Sequence, residues 1–287
     1  MIISDKWSDY ELLDTSGGER LERWGKYTLV RPDPQVIWDT DKRHPGWRKP
    51  SARYIRSKEG GGQWEKNDLP ASWQIKYGGL SFNVKPMNFK HTGIFPEQAA
   101  NWDYVTRKIK TADRPLSVLN LFAYTGAATI AAAAAGAKVC HVDAAKGMVN
   151  WARDNAKLSG LEDKPVRWIV DDCVKFLERE IRRGRTYDAI IMDPPSYGRG
   201  PTGETWKLED DLYKFVRTVT QVMSEKPEFV LINSYTTGLS PATLTYMAET
   251  LLVKKFGGNA KSDELGLKVS GTNLVLPCGA VMRWDIG

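Results

Sequence analysis

Leu116-Ser-Val-Leu-Asn-Leu-Phe122-Ala-Tyr-Thr-Gly126-Ala-Ala-Thr-Ile130, an alanine run to Ala135, and then Gly136-Ala-Lys-Val-Cys-His-Val-Asp143 form the stretch around which this chain is organised. The pattern predicts a strand over 116–121, because a short apolar run bounded by turn signals suits a strand buried on both faces. Thr125-Gly126 punctuates it. Residues 127–135 have strong helix-forming composition, and their small side chains let a helix lie close against a sheet. Residues 139–142 then return as a parallel neighbour with Asp143 at the tip. Ligands of a doubly wound sheet sit outside the carboxyl ends of its strands. Phe122, Ala123, Tyr124, Thr125, Gly126 and Asp143 are therefore expected around one crevice, where Asp143 can accept from the two hydroxyls of a ribose. Taken alone, the same unit reads equally well as an ordinary βαβ crossover with a surface aspartate.

Working outward, Tyr187-Asp-Ala-Ile-Ile-Met-Asp193-Pro194-Pro195-Ser196-Tyr197 reads as a buried strand ending in Asp-Pro-Pro, a polar residue and an aromatic. Trp168-Ile-Val-Asp171-Asp172-Cys173 is a second strand tip carrying acids, followed by a helical stretch over 174–183. Ahead of both lies Lys90-His-Thr92-Gly93-Ile-Phe-Pro-Glu-Gln98-Ala-Ala-Asn-Trp102. The remaining expectations are helices over 98–110, 146–158, 206–223 and 241–255, and strands over 165–170, 186–192 and 228–233. A closing antiparallel pair is expected at 265–270 and 280–284. Alternation of strand and helix gives an α/β class and no more.

Residues 1 to about 80 read differently, as β-rich and irregular. Strands are expected at 10–14 and 27–31, separated by the Ser-Gly-Gly turn and by residues 20–25, with Pro32 and Pro34 breaking the pattern. Residues 36–38 suit a short helix or strand, 39–51 a polar loop, Gly60-Gly-Gly62 a turn, and 73–77 with 80–84 a hairpin around Gly78-Gly79. Seven of the eleven tryptophans precede Asp113, mixed with many Lys and Arg. Such a mixture can stack on exposed bases and neutralise phosphates, or the tryptophans can simply form the core of a small β-domain. The second reading is favoured for most of them. Trp47-Arg48-Lys49 with Arg53-Tyr54-Ile55-Arg56, read as a loop, is the part expected to touch nucleic acid.

The chain has 287 residues, enough for a full α/β domain plus a smaller one. No window approaches the roughly 20 apolar residues that span a bilayer, and the first residues lack a signal-peptide pattern. Cys140, Cys173 and Cys278 are widely spaced and odd in number, which favours free thiols in a reducing cytoplasm over a disulfide or zinc scaffold. None of the three histidines is spaced as a metal pair, so no metal is expected. A net charge of +6 suits a polyanionic partner without demanding one.

In combination, the Asn-Leu-Phe-Ala-Tyr-Thr-Gly and Asp-Pro-Pro stretches resemble class I S-adenosylmethionine-dependent methyltransferases. Within these, the chain is similar to the bacterial group related to large-subunit ribosomal RNA methyltransferases, over residues 82 to 287. The resemblance implies a Rossmann-like methyltransferase domain over 113–287, with a mostly parallel sheet and a late antiparallel strand. A smaller β-rich domain with a linking helix, 1–112, precedes it. The implied cofactor, S-adenosylmethionine, has no phosphate, so a loop with the single Gly126 can serve where nicotinamide enzymes need Gly-x-Gly-x-x-Gly. Absence of that fingerprint argues against an NAD-dependent oxidoreductase.

By the same resemblance, Thr92, Gly93 and Gln98 close over the methionine end of the cofactor, beside the 123–125 backbone. Asp143 takes the ribose, Asp172 accepts from the adenine amino group, and Cys173 contributes its amide. Asp171 is the alternative to Asp172, and either acid equally suits a helix N-cap. Asp193, Pro194, Pro195, Ser196 and Tyr197 correspond to the methyl-transfer site. The Asp side chain and a Pro-Pro carbonyl would accept from an exocyclic amino group, and Tyr197 would stack on an extruded base. Relatives that methylate cytosine carbon first add a cysteine to the ring. The corresponding places here read Asp193-Pro-Pro-Ser and Asn233-Ser-Tyr-Thr-Thr-Gly, without cysteine. A nitrogen or oxygen acceptor without a covalent adduct is therefore expected, with RNA, most of all ribosomal RNA, as substrate. The competing functions are a small-molecule or protein methyltransferase and a non-catalytic RNA-binding protein.

Overall fold

Long-range strand pairing arranges the second half of the chain around one large sheet. A computed structural model describes residues 1–57, 61–199, 205–236 and 238–287. The chain divides into two compact units: Met1 with Asn101–Glu264 and Gly279–Gly287, and Ile2–Ala100 with Leu265–Cys278.

In the N-terminal unit, β1 (Ile2–Ile3) pairs in parallel with residues 265–266. The strands β2 (Tyr10–Ser16), β3 (Glu19–Trp24), β4 (Tyr27–Pro32), β5 (Ala52–Arg56) and β6 (Gly62–Lys66) form a five-stranded sheet in that order. A separate hairpin joins β7 (Trp73–Tyr77) to β8 (Leu80–Val84), as the Gly78-Gly79 signal predicted.

Two N-terminal expectations are corrected. Residues 20–25 are not a separator, since 19–24 form the interior strand β3 between β2 and β4. Its sequence hides this because a buried acid interrupts the apolar pattern. Glu22 is fully buried and accepts from Arg31 Nε at 2.6 Å and from Tyr10 at 2.8 Å. Burial opposes its charge, but the Arg20 and Arg31 guanidinium groups outweigh that and hold the carboxyl down at about 2. Second, Arg53-Tyr54-Ile55-Arg56 is strand β5 rather than a loop. Tyr54 is buried, Arg53 pairs with Glu19, and Trp47 packs with Leu21 and Val30 while donating to Asp14 at 2.8 Å. That aromatic set is core. Residues 36–38 form neither helix nor strand, a short 3-10 turn covers Pro45–Trp47 in the expected loop, and Gly60 of the expected turn lies outside the described residues.

In the other unit, α1 (Ala99–Thr111) leads into β9 (Ser117–Leu121), α2 (Ala127–Ala134), β10 (Lys138–Asp143), α3 (Lys146–Leu158), β11 (Val166–Val170) and α4 (Cys173–Arg182). There follow β12 (Ala189–Met192), a small hairpin of β13 (Tyr197–Arg199) and β14 (Thr205–Lys207), α5 (Leu208–Val219) and β15 (Phe229–Ser234). The chain closes with α6 (Pro241–Ala248), a π turn over Glu249–Val253, α7 (Lys254–Phe256), β16 (Asn259–Lys268) and β17 (Val275–Asp285). The helix expected over 206–223 starts at Leu208, because Trp206 belongs to β14.

The strand order is β16-β17-β15-β12-β9-β10-β11. The pairs among β15, β12, β9, β10 and β11 are parallel, and β17 lies antiparallel to β15. This is an α/β, Rossmann-like sheet with a late antiparallel strand. Its core runs through Leu119, Leu121, Val142, Ile190, Met192, Val230, Ile232 and Met282. Strand order reverses between β9 and β12, so the loops leaving these two strands flank the switch point where such sheets bind ligands.

Candidate active site

The loop after β9 is built from unusual backbone. Phe122 and Tyr124 have φ of +56° and +52°, a left-handed conformation that costs an L residue roughly 1–2 kcal/mol. The surroundings compensate with main-chain bonds. Ala123 N donates to the Val142 carbonyl at 3.1 Å, and Gly126 N to the Ala123 carbonyl at 3.0 Å. Tyr124 N donates to Asp143 Oδ2 at 2.8 Å, while Ala145 N donates to Oδ1 at 2.9 Å. Phe122 N donates to Cys173 Sγ at 3.4 Å, and Asn155 Nδ2 donates to the Thr125 carbonyl at 3.0 Å. Gly126, at φ +84°, starts α2 without a side-chain cap. A Cβ there would stand 2.6 Å from the Ala152 Cβ, so α3 reaches the loop only because position 126 is glycine.

Under the loop, Asn120 Nδ2 donates to Thr129 Oγ1 at 2.9 Å, and Thr129 Oγ1 lies 2.9 Å from His141 Nδ1. Among the described residues, Nε2 has no partner. Burial first, and Arg153 second, pull this imidazole down to about 3, so it is neutral at pH 7.

Asp143 is expected to accept from a ribose, and both its oxygens already accept one amide each. A carboxylate has lone pairs to spare. Burial raises its pKa, against the two amide bonds. The neighbouring acids divide between two jobs: Asp172 caps α4, accepting from Lys175 N at 2.9 Å, and Asp171 pairs with Arg179. Asp171 N also donates to the Asp143 carbonyl at 3.0 Å, tying the tips of β10 and β11 together. Cys173 is buried, and burial pushes its thiol far up. Thr92, Gly93 and Gln98 belong to the N-terminal unit, where Thr92 and Gln98 are buried and Gly93 has φ +101°.

The loop after β12 is held differently. Asp193 N donates to the Leu121 carbonyl at 3.4 Å, which brings the tip of β12 against that of β9. The Pro195 carbonyl accepts from Trp206 Nε1 at 2.6 Å, and the Ser196 carbonyl from Leu208 N at 3.1 Å. Thr236 Oγ1 donates to Ser196 Oγ at 2.7 Å. Pro194 is buried, whereas Pro195, Ser196 and Tyr197 are exposed, Tyr197 by half of its surface. The sequence alone did not single out Trp206, Thr236 or Asn155. Each acts across a long sequence separation, and only a pairing of the strand tips could have exposed them.

An α/β sheet with two loops at its switch point, one braced by the half-buried Asp143 of the next strand and one carrying Asp-Pro-Pro, suits a transferase that binds a nucleoside-containing ligand. The comparisons with known proteins agree. The family model of S-adenosylmethionine-dependent methyltransferases matches residues 51–239, and the chain belongs to that family. The SAM-dependent methyltransferase from Agrobacterium tumefaciens is 36% identical, with a TM-score of 0.94 over 100% of this chain and 93% of that one. SMU.776, solved in complex with SAH, shares the fold at 21% identity and a TM-score of 0.73, over 98% of this chain and 76% of that one. The ribosomal RNA large subunit methyltransferase K/L of Shewanella loihica is 32% identical over 54% of this chain. This chain spans about a fifth of that relative's length, since the match covers 21% of it.

The donor set fits the family's cofactor, S-adenosylmethionine. A half-buried acid stands at the tip of β10, a capping acid and an amide open α4, and α2 starts at a bare glycine. Among the described residues, no cluster of His, Cys, Asp and Glu could hold a metal ion, and no helix is long and apolar enough to cross a membrane.

Proposed function

We propose that the chain methylates RNA, most of all ribosomal RNA, at a nitrogen or oxygen acceptor and without a cysteine adduct. The observation that carries this reading is the abutment of the two strand tips, Asp193 N on the Leu121 carbonyl. It brings a cofactor loop and an acceptor loop to one point. In this reading Asp143 holds the ribose, Asp172 uses its remaining oxygen for the adenine amino group, and the Cys173 amide assists, with Asp171 kept by Arg179. Phe122 to Gly126 line the methionine and sulfonium region, with Thr92, Gly93 and Gln98 at the methionine end. When bound, S-adenosylmethionine supplies an activated methyl group. Asp193 and the Pro194 carbonyl then accept the protons of the target group and direct its lone pair. The exposed Tyr197 stacks on the base. Rate comes mainly from this positioning.

The thiols support a mechanism without an adduct. Cys140, Cys173 and Cys278 all have pKa values raised by burial, so none is poised as a thiolate. The RNA assignment is supported by the net charge of +6 and by the printed function of the Shewanella relative. An enzyme of ribosomal RNA works in the cytoplasm, which is the location we assign.

Mass spectrometry of ribosomal RNA nucleosides from a deletion strain and its parent tests the substrate. One methyl mark should disappear. An unchanged set would favour a small-molecule or protein acceptor. Incubation with RNA containing 5-fluorocytosine tests the chemistry. No denaturation-resistant protein–RNA band should form, and a band lost on replacing one cysteine would overturn it.

A further inference from the structure

We propose that Trp206 is a positioning residue that couples the acceptor loop to the cofactor loop, a role that rests on the methyltransferase reading above. Trp206 is half-buried in β14, opposite Gly198 of β13. Its indole N–H donates to the Pro195 carbonyl at 2.6 Å, which fixes the peptide plane that follows the two prolines. Its ring lies 5.7 Å from Phe122 and 5.5 Å from Phe215, and Phe122 and Phe215 are 5.4 Å apart, so the three rings close a triangle.

Phe122 is the first residue of the cofactor loop, held at φ +56°. Trp206, Leu208 N and Thr236 Oγ1 all donate into the acceptor loop. Of these, Trp206 is the one whose ring also packs on Phe122. One side chain thus sets the Pro195 carbonyl of the acceptor loop relative to Phe122 of the cofactor loop.

Packing alone does not explain an indole here. Phenylalanine would complete the aromatic triangle, whereas among the described residues the N–H serves the Pro195 carbonyl. With one of that carbonyl's two lone pairs engaged inside the chain, we assign recognition of the acceptor group mainly to Asp193 and the Pro194 carbonyl.

The test separates the donor from the ring. Trp206→Phe keeps the ring and loses the donor. Its Kd for S-adenosylmethionine, by calorimetry, should stay within about twofold of wild type, while kcat on ribosomal RNA from a deletion strain falls about three- to tenfold, the worth of one hydrogen bond. Trp206→Ala removes both and should also weaken cofactor binding, because Phe122 loses its neighbour. A Trp206→Phe protein with wild-type kcat overturns the proposal, and so does one whose kcat loss is matched by an equal loss of cofactor affinity.

A second measurement needs neither substrate nor a folded variant. In the full chain labelled with nitrogen-15 tryptophan, the Trp206 indole proton should exchange slowly with solvent. Free exchange would overturn the proposal. If the wild-type protein binds cofactor but transfers no methyl to RNA, the functional reading fails, and the indole measurement still decides the clamp.

Discussion

The loop after β9 is held at its main chain, by Asp143 one strand away and by the Cys173 and Asn155 side chains, whereas the loop after β12 accepts at its carbonyls and hydroxyl from Trp206 and Leu208 just after it and from Thr236. Asp143 fixes the first through the amide of Tyr124 and is itself held by the Ala145 amide at the start of α3. Trp206 and Thr236 fix the second through Pro195 and Ser196. The first arrangement presents acceptors and a bare helix start to a ligand that must always fit the same way. On the reading proposed above, the second presents a carboxylate and a carbonyl to the methyl acceptor. Binding and chemistry are therefore expected to separate by loop.

Asp193→Ala is the strongest attempt to break that separation. Turnover should fall by about 10²-fold or more, the scale of a misplaced reacting group, with cofactor Kd from calorimetry nearly unchanged. A comparable loss of affinity would merge the two loops into one binding site. Asp143→Ala should do the reverse, weakening cofactor binding by about 1–3 kcal/mol, the cost of leaving buried polar groups unpaired. Equal binding by the mutant would remove Asp143 from the site.

Gly126→Ala attacks the first loop through packing. Its Cβ would meet Ala152 at 2.6 Å on a backbone at φ +84°, and overpacking of this kind costs about 1–3 kcal/mol, readable by urea denaturation. Asp172→Ala removes the α4 cap, worth about 0.5–2 kcal/mol. If Asp172 also serves the adenine, cofactor affinity should fall beyond that stability loss.

The smallest effect comes from His141. Its folded pKa, about 3, lies below the ordinary value of 6.5, so its contribution is present above pH 6.5 and is lost as pH falls toward 3. Between pH 7.5 and 6 the wild type should lose about 1 kcal/mol more than His141→Gln, measured by denaturation at each pH. Parallel profiles would show that His141 is protonated without cost.

The catalytic half was largely legible because its signals are local. Apolar runs ending in Asp143 and Asp193, an alanine helix, and glycine punctuation each lie within one element. Helix α3 was expected over the same residues that form it, 146–158. The N-terminal sheet was less legible because an interior strand, β3, buries charge. Glu22, Arg20 and Arg31 make β3 look like a surface segment, and only the pairing of β3 with β4 brings a guanidinium to the acid. Trp206 was absorbed into an expected helix because Trp-Lys-Leu-Glu-Asp continues a helical pattern. What separates it from α5 is its pairing with Gly198, and no periodicity encodes that. Asp171 and Asp172 were indistinguishable in sequence, since both precede the helix and only its geometry selects the cap.

Phe122 and Tyr124 occupy backbone angles that glycine or asparagine would accept more cheaply, and they do so in a loop with glycine only at its end. A selection for heat resistance alone should therefore drift at position 124 toward glycine or asparagine, gaining up to about 1–2 kcal/mol of relieved strain. The same drift would soften the loop and raise the entropy that a ligand must remove on binding. Thermal hardiness and cofactor grip are thus set against each other at a single residue, and an engineer seeking both should strengthen the protein elsewhere.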